Sequence, residues 1–155
     1  MQSVEQLIAE LPIFSGLRPE DLTLIAGCAR TMQAAAGDEL FREGDPADAF
    51  FVVRHGAIAL EAHTPSGSPL VIETMHAGDV VGWSWLVPPY RWNFDGRAVE
   101  DMRGISFDAA CLRGKSDADP RLGYELLRRF AGLMLERLQA TRLRLLDVYG
   151  TSVPR

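Results

Sequence analysis

Gly37-Asp-Glu-Leu-Phe-Arg-Glu-Gly44-Asp45-Pro46-Ala-Asp-Ala-Phe-Phe-Val-Val-Arg54-His-Gly56-Ala-Ile-Ala-Leu60 decides the fold of this chain. Its glycines separate two short apolar runs, Ala49 to Arg54 and Ala57 to Ala62. Glycine suits sharp backbone reversals, and β-branched or aromatic residues suit pleated strands. Gly44-Asp45-Pro46 is a strong turn, because Pro46 presets φ and Asp45 can bond its own downstream backbone. The stretch therefore reads as tightly cornered antiparallel strands.

The same texture continues outward from Gly37 to Asp108. Runs at Glu39–Arg42, Ala49–Arg54, Ala57–His63, Leu70–Met75, Arg97–Glu100 and Gly104–Phe107 alternate with turn signals, including Thr64-Pro65-Ser66-Gly67-Ser68-Pro69. Strands at this spacing imply a sandwich or barrel. Before them, residues Ser3 to Glu10 and Arg18 to Ala29 read as two short helices. Pro19, Glu20 and Asp21 fit a helix start. After Asp108 the pattern turns helical, and Asp119-Pro120 opens a long helix running to about Val148.

That helix repeats apolar or small residues at Leu127, Ala131, Met134, Leu138, Thr141, Leu145 and Val148, with spacings of four and three. This is a heptad seam suited to a homodimer interface. A second set, Phe130, Leu133, Leu135, Leu143 and Leu146, can face the strands; a single broad core-facing stripe is the plainer alternative. Arg128, Arg129, Arg137, Arg142 and Arg144 make the helix basic. Glu125, Glu136 and Asp147 balance them, so a solvated face explains them better than a nucleic-acid patch.

At 155 residues the sequence fits one domain, spanning 1–155: N-terminal helices at 1–30, strands at 37–108 and the long helix at 119–148. The formal charge of −5 argues against DNA or an anionic membrane as the main partner. Cys28 and Cys111 fit no metal spacing, and Cys28 in its apolar helical run reads as a buried free thiol. With no leader-like segment and no run of membrane length, the cytoplasm is the simplest compartment. His55, His63 and His76 have no His-x-His pairing, so a metal centre is not expected. No nucleophile elbow is present, and enzymatic activity is not expected.

The Gly37–Leu60 stretch, together with Leu11-Pro12-Ile13-Phe14-Ser15-Gly16-Leu17, resembles the cyclic-nucleotide-binding domains of the catabolite-activator (Crp/Fnr) family. The resemblance implies a mainly β fold with flanking helices: a jelly-roll-like β-roll with a long C-terminal dimerisation helix. Its family's transcription factors continue into a helix-turn-helix domain. This chain stops at Arg155, so it resembles the sensor half, without a DNA-binding domain of its own. The implied function is a regulatory module sensing a cyclic nucleotide such as cAMP and signalling allosterically to an unknown effector protein. No other cofactor is implied.

The family's phosphate cassette maps onto Gly78-Asp79-Val80-Val81-Gly82-Trp83-Ser84-Trp85-Leu86. In the family, amides of a short helix receive the cyclic phosphate, an Arg pairs with it and a Glu takes the ribose hydroxyl. Here Trp83 or Ser84 stands at the Glu. Counting back from Arg97-Ala98-Val99-Glu100 puts Trp92 at the Arg and Asn93 at the following Ser or Ala. One inserted residue puts Arg91 there instead, and Arg91 is the cation chosen for phosphate. Thr141 resembles the Thr that family members set against adenine. The ligand set implied is thus Gly82, Trp83, Ser84, Trp85, Arg91, Trp92, Asn93 and Thr141. The three tryptophans have two readings that the sequence leaves open: a stacking wall for a purine, or indoles filling a vacated pocket in a nucleotide-independent interaction domain.

Overall fold

Phe50, Val52 and Val53 are buried in one strand at the middle of the molecule, and the fold is laid out around it. The computed structural model describes residues 2–152. Helix α1 (Val4–Ala9), a 3-10 turn (Pro12–Phe14) and helix α2 (Pro19–Ala26) come first. Eight strands follow: β1 (Ala29–Ala34), β2 (Glu39–Phe41), β3 (Ala49–His55), β4 (Ile58–His63), β5 (Pro69–Met75), β6 (Val80–Val81), β7 (Asp95–Ala98) and β8 (Met102–Asp108). Helices α3 (Ala109–Ala118) and α4 (Pro120–Ser152) close the described chain. The strands form two antiparallel sheets of four, ordered β1-β8-β3-β6 and β2-β7-β4-β5. This is the mainly β roll with flanking helices that the resemblance implied.

Aromatic packing joins the sheets to the helices. Phe50 and Phe107 face each other across the β3–β8 ladder with parallel rings 4.4 Å apart. Trp85 stacks on Phe50 at 5.0 Å, and Phe130 of α4 meets both rings edge-on. Leu122, Leu126 and Phe130 are fully buried, so burial fixes the first half of α4 against the roll. At the start, Ser3 Oγ caps α1 by accepting from the Gln6 amide, while the Ser3 amide donates to Gln6 Oε1.

Several expectations need correction. The second helix ends at Ala26 rather than Ala29, where Gly27 takes the C-cap, and the chain then enters β1. β1 is an edge strand with Arg30, Thr31 and Gln33 exposed, so it lacks the apolar alternation that marked the others. β6 has only two residues and did not stand out as an element, while the helical pattern expected after Asp108 is divided into α3 and α4. On α4, Leu135, Leu143 and Leu146 do not face the strands; each is more than half exposed.

Cys28 is buried, but it is not a free thiol. Its sulfur is bonded to that of Cys111, with Cα atoms 5.6 Å apart across 83 residues of sequence. The Asp108 amide also donates to the Cys28 carbonyl at 2.8 Å, so the end of α2 and the start of α3 are adjacent in backbone as well.

A buried carboxylate ties α2 to α4. Asp21 is 1% exposed and accepts both terminal nitrogens of Arg121. That hydrogen-bonded guanidinium holds the Asp21 carboxyl below its ordinary value, against the opposing effect of burial, with charge attraction from Arg121 and Arg18 adding to it. A depressed carboxylate contributes stability that is full above its unfolded-state pKa and lost as pH falls through its folded value. Asp21→Asn is therefore expected to lower the urea midpoint most at neutral pH, with the gap to wild type closing below about pH 4. Urea titrations across that range check this; a gap independent of pH would refute it.

Candidate functional site

The cassette begins where β6 ends. Gly82 has φ of 102°, which a side chain rarely tolerates. A Cβ there would also lie 2.6 Å from the Trp92 ring, so only glycine admits the indole. Trp92 is 4% exposed and lies flat on Phe41 of β2, ring centres 3.6 Å apart and planes within 9°. Phe51 stacks farther out at 6.3 Å. Gly96 makes the slot possible from the other side, since a Cβ there would fall 2.2 Å from Phe41. Thus Gly82 and Trp92, aligned by resemblance with a phosphate-binding Gly and Arg, do touch. Their contact is an indole edge on a glycine, with no cation.

The remaining cassette residues are distributed around this stack. Residues 84–89 form turns, with the Leu86 amide donating to Trp83 O and the Tyr90 amide to Val87 O. The short helix implied for the phosphate is not formed there. Trp85 is buried at 1% exposure in the Phe50–Phe130 cluster, where it serves the core. Its carbonyl accepts from Arg113 Nη1 at 2.8 Å, and the same guanidinium lies 4.3 Å over Tyr90. Ser84 is half-buried, and Asn93 Nδ2 donates to its Oγ at 3.4 Å. Arg91 is exposed and donates to the Gly44 carbonyl at 2.9 Å. In this position it serves the Gly44 turn.

From α4, Arg137 reaches the cassette and Thr141 does not. The Thr141 hydroxyl is exposed and donates to Arg137 O one turn back. Arg137 donates to Glu73 of β5 at 2.5 Å, to Met75 Sδ at 3.0 Å and to Val80 O at 3.3 Å. Its guanidinium sits 5.4 Å over the half-buried Trp83 ring. Arg144 adds a second bond from α4 to Glu73, and one to Ile72 O. A depression of about 360 Å³ remains between α4 and the cassette, walled by Ile13, Val80, Trp83, Leu133, Arg137 and Ala140. Phe41, Glu73, Gly96 and Arg137 were not singled out as site residues. The available signal was Glu73, an acid within the apolar run Leu70–Met75.

On the dimer seam, Leu127, Leu138, Leu145 and Val148 are each more than half exposed, and Ala131 and Thr141 are exposed too. Met134 is partly buried against the core. Among the described residues, no group of three His, Cys, Asp or Glu side chains could hold a metal ion.

The profile of the cyclic nucleotide-binding domain matches residues 31–118 of this chain. A CRP-like cAMP-activated global transcriptional regulator of Mycobacterium tuberculosis is 23% identical over 151 residues, covering 97% of this chain and 66% of the relative. This chain thus spans just under two thirds of that relative's length. Among solved structures, a cyclic nucleotide-binding domain from Methylobacillus flagellatus aligns with a TM-score of 0.78 at 18% identity, covering 94% of this chain and 82% of that one. The N-terminal domain of a transcriptional regulator from Streptomyces coelicolor aligns with a TM-score of 0.69 at 24% identity, covering 87% and 94%. At these identities the two structures speak for the fold alone.

The Gly82–Trp92–Phe41 stack makes a prediction. Gly82→Ala forces a side chain at positive φ and displaces the indole, for an expected loss of about 2 kcal/mol and a red shift of tryptophan emission. Trp92→Ala, which leaves a cavity, should cost about 3–5 kcal/mol. Denaturant unfolding followed by fluorescence measures both; a Gly82→Ala protein with wild-type stability and emission would remove the stack from this position.

Proposed function

The chain belongs to the cyclic nucleotide-binding domain family, and from that premise we propose a regulatory domain that works as a homodimer and passes its state to an effector protein. In this reading its own Trp92 fills the place where the family's Arg would meet a nucleotide phosphate. The observation that carries it is the Trp92 ring held between Gly82 and Phe41. The lack of a cassette helix and the outward bond of Arg91 to Gly44 O point the same way. Support for a regulatory rather than catalytic role comes from the M. tuberculosis relative, a transcriptional regulator. Control of transcription and a cytoplasmic setting belong to the same proposal. Among the described residues no helix is long and apolar enough to cross a membrane.

A second reading keeps a live cyclic-nucleotide site. It is favoured by Arg91, which is exposed beside the cassette and needs only to leave the Gly44 carbonyl, and by the Ser84–Asn93 pair next to Gly82. A ligand that binds the native state raises its stability, which separates the two readings. With cAMP or cGMP added to about 1 mM, wild type is expected to show no saturable change in melting temperature or indole emission. A saturable rise would refute the filled-pocket reading; strong weakening in Arg91→Ala would then put Arg91 on the phosphate.

The homodimer is proposed through the seam Leu127, Ala131, Met134, Leu138, Thr141, Leu145 and Val148. Leu138, 59% exposed on the helix surface, is the test position because its replacement spares the core. Leu138→Glu is expected to sediment as a monomer with unchanged circular dichroism, while wild type sediments as a dimer. Equal masses for the two proteins would dispose of the seam.

A further inference from the structure

We infer that Cys28–Cys111 is a reversible redox-modification site, opened and closed by exchange with a small thiol and its disulfide, and that its state is transmitted to the cassette. The inference does not depend on whether Trp92 or a nucleotide fills the Gly82 pocket. It begins from access. The bond lies in the wall of an open surface depression of about 450 Å³, shared by Arg30, Asp48, Ser106 and Asp108. Cys28 is buried, 6% exposed, whereas Cys111 is half-buried. Of the two residues Cys111 is the more exposed, so the incoming thiolate is assigned to its sulfur.

The surroundings of Cys111 suit this exchange. Asp108 caps α3 by accepting from the Cys111 amide at 2.9 Å, so Cys111 is in the first turn of a ten-residue helix. The positive end of a helix stabilises a thiolate. In the reducing direction, a small thiolate bonds to the Cys111 sulfur and the Cys28–Cys111 bond breaks. Its electron pair stays on Cys28, which then takes a proton. A second small thiolate attacks the external sulfur of the mixed disulfide and releases Cys111 as thiolate. The sum is one protein disulfide and two thiols giving a protein dithiol and one small disulfide. Oxidation reverses each step, with Cys111 as the attacking thiolate and Cys28 as the resolving one.

The path to the cassette is short. Two residues beyond Cys111, Arg113 holds the Trp85 carbonyl and covers Tyr90. Lys115 in the next turn donates to Leu24 O of α2 at 2.6 Å. The first turns of α3 are thus fixed to α2 and β1 on one side by the disulfide and Lys115, and grip the cassette on the other by Arg113. Opening the bond loosens the N-terminal anchor of that grip while the roll keeps its core.

The test equilibrates the wild-type protein, without denaturant, in graded mixtures of reduced and oxidised glutathione, quenches with acid and alkylates. One two-electron transition yielding two thiols is expected, with unchanged far-ultraviolet circular dichroism. Amide exchange over residues 85–90 should be about ten-fold faster in the reduced protein. A bond that opens only under denaturing conditions, or exchange identical in both states, would overturn the inference. In Arg113→Gln the redox transition should persist while the exchange difference over 85–90 disappears; a difference as large as in wild type would overturn the route through Arg113.

Discussion

An indole ring pressed edge-on against one glycine and face-on against a phenylalanine sets the character of this β-roll. Phe41 comes from β2, Gly96 from β7, and Gly82 and Trp92 from the two ends of the segment between β6 and β7, and each is shaped to the others. Removing the Cβ at Gly82 and Gly96 is what lets two large rings lie in contact within a small roll. Stacked aromatic pairs add a small directional attraction to a large area of buried apolar surface. The cassette is consequently held by aromatic packing. The Trp92 ring lies beside Gly82, the residue that the resemblance aligns with the family's phosphate cassette, and the proposed filled pocket rests on that contact.

How far the sequence revealed this depends on the kind of interaction. β3, β4 and β5 were legible because glycine turns bracket apolar runs, a local signal. β1 was not, because an edge strand with Arg30, Thr31 and Gln33 outward has little apolar pattern to show. The pairing of Cys28 with Cys111 was also invisible. It depends on the chain returning through β8 to the end of α2, and Cys28 in its apolar run reads the same whether bonded or free.

The site shows the same divide. Counting residues put Trp92 at the position of the family's Arg, and in the structure its ring lies against Gly82. The count could not say which way the indole faces, so stacking wall and filled pocket stayed equal on paper. Geometry separates the three tryptophans: Trp85 belongs to the core, Trp92 fills the slot, and Trp83 stands beside Arg137 at the edge of a depression. Arg91 was chosen because it is the cation of its window, but side-chain direction is not a compositional property. It faces the Gly44 carbonyl.

The long helix is attached in two different ways. Its first half is fixed by buried hydrocarbon at Leu122, Leu126 and Phe130 and by the Asp21–Arg121 pair. Its second half is joined to β5 and β6 by charged bonds, from Arg137 and Arg144 to Glu73 and nearby carbonyls. Buried packing resists gradual displacement, whereas partly exposed ion pairs exchange with water at small net cost. Displacing the proximal helix would open the aromatic core, whereas displacing the distal helix would break mainly polar bonds to β5 and β6. The exposed seam residues Leu138, Leu145 and Val148 lie on that distal part. Any event that alters Glu73, Arg137 or Trp83 thus acts on the helix segment that carries the proposed partner surface, without first disturbing the aromatic core.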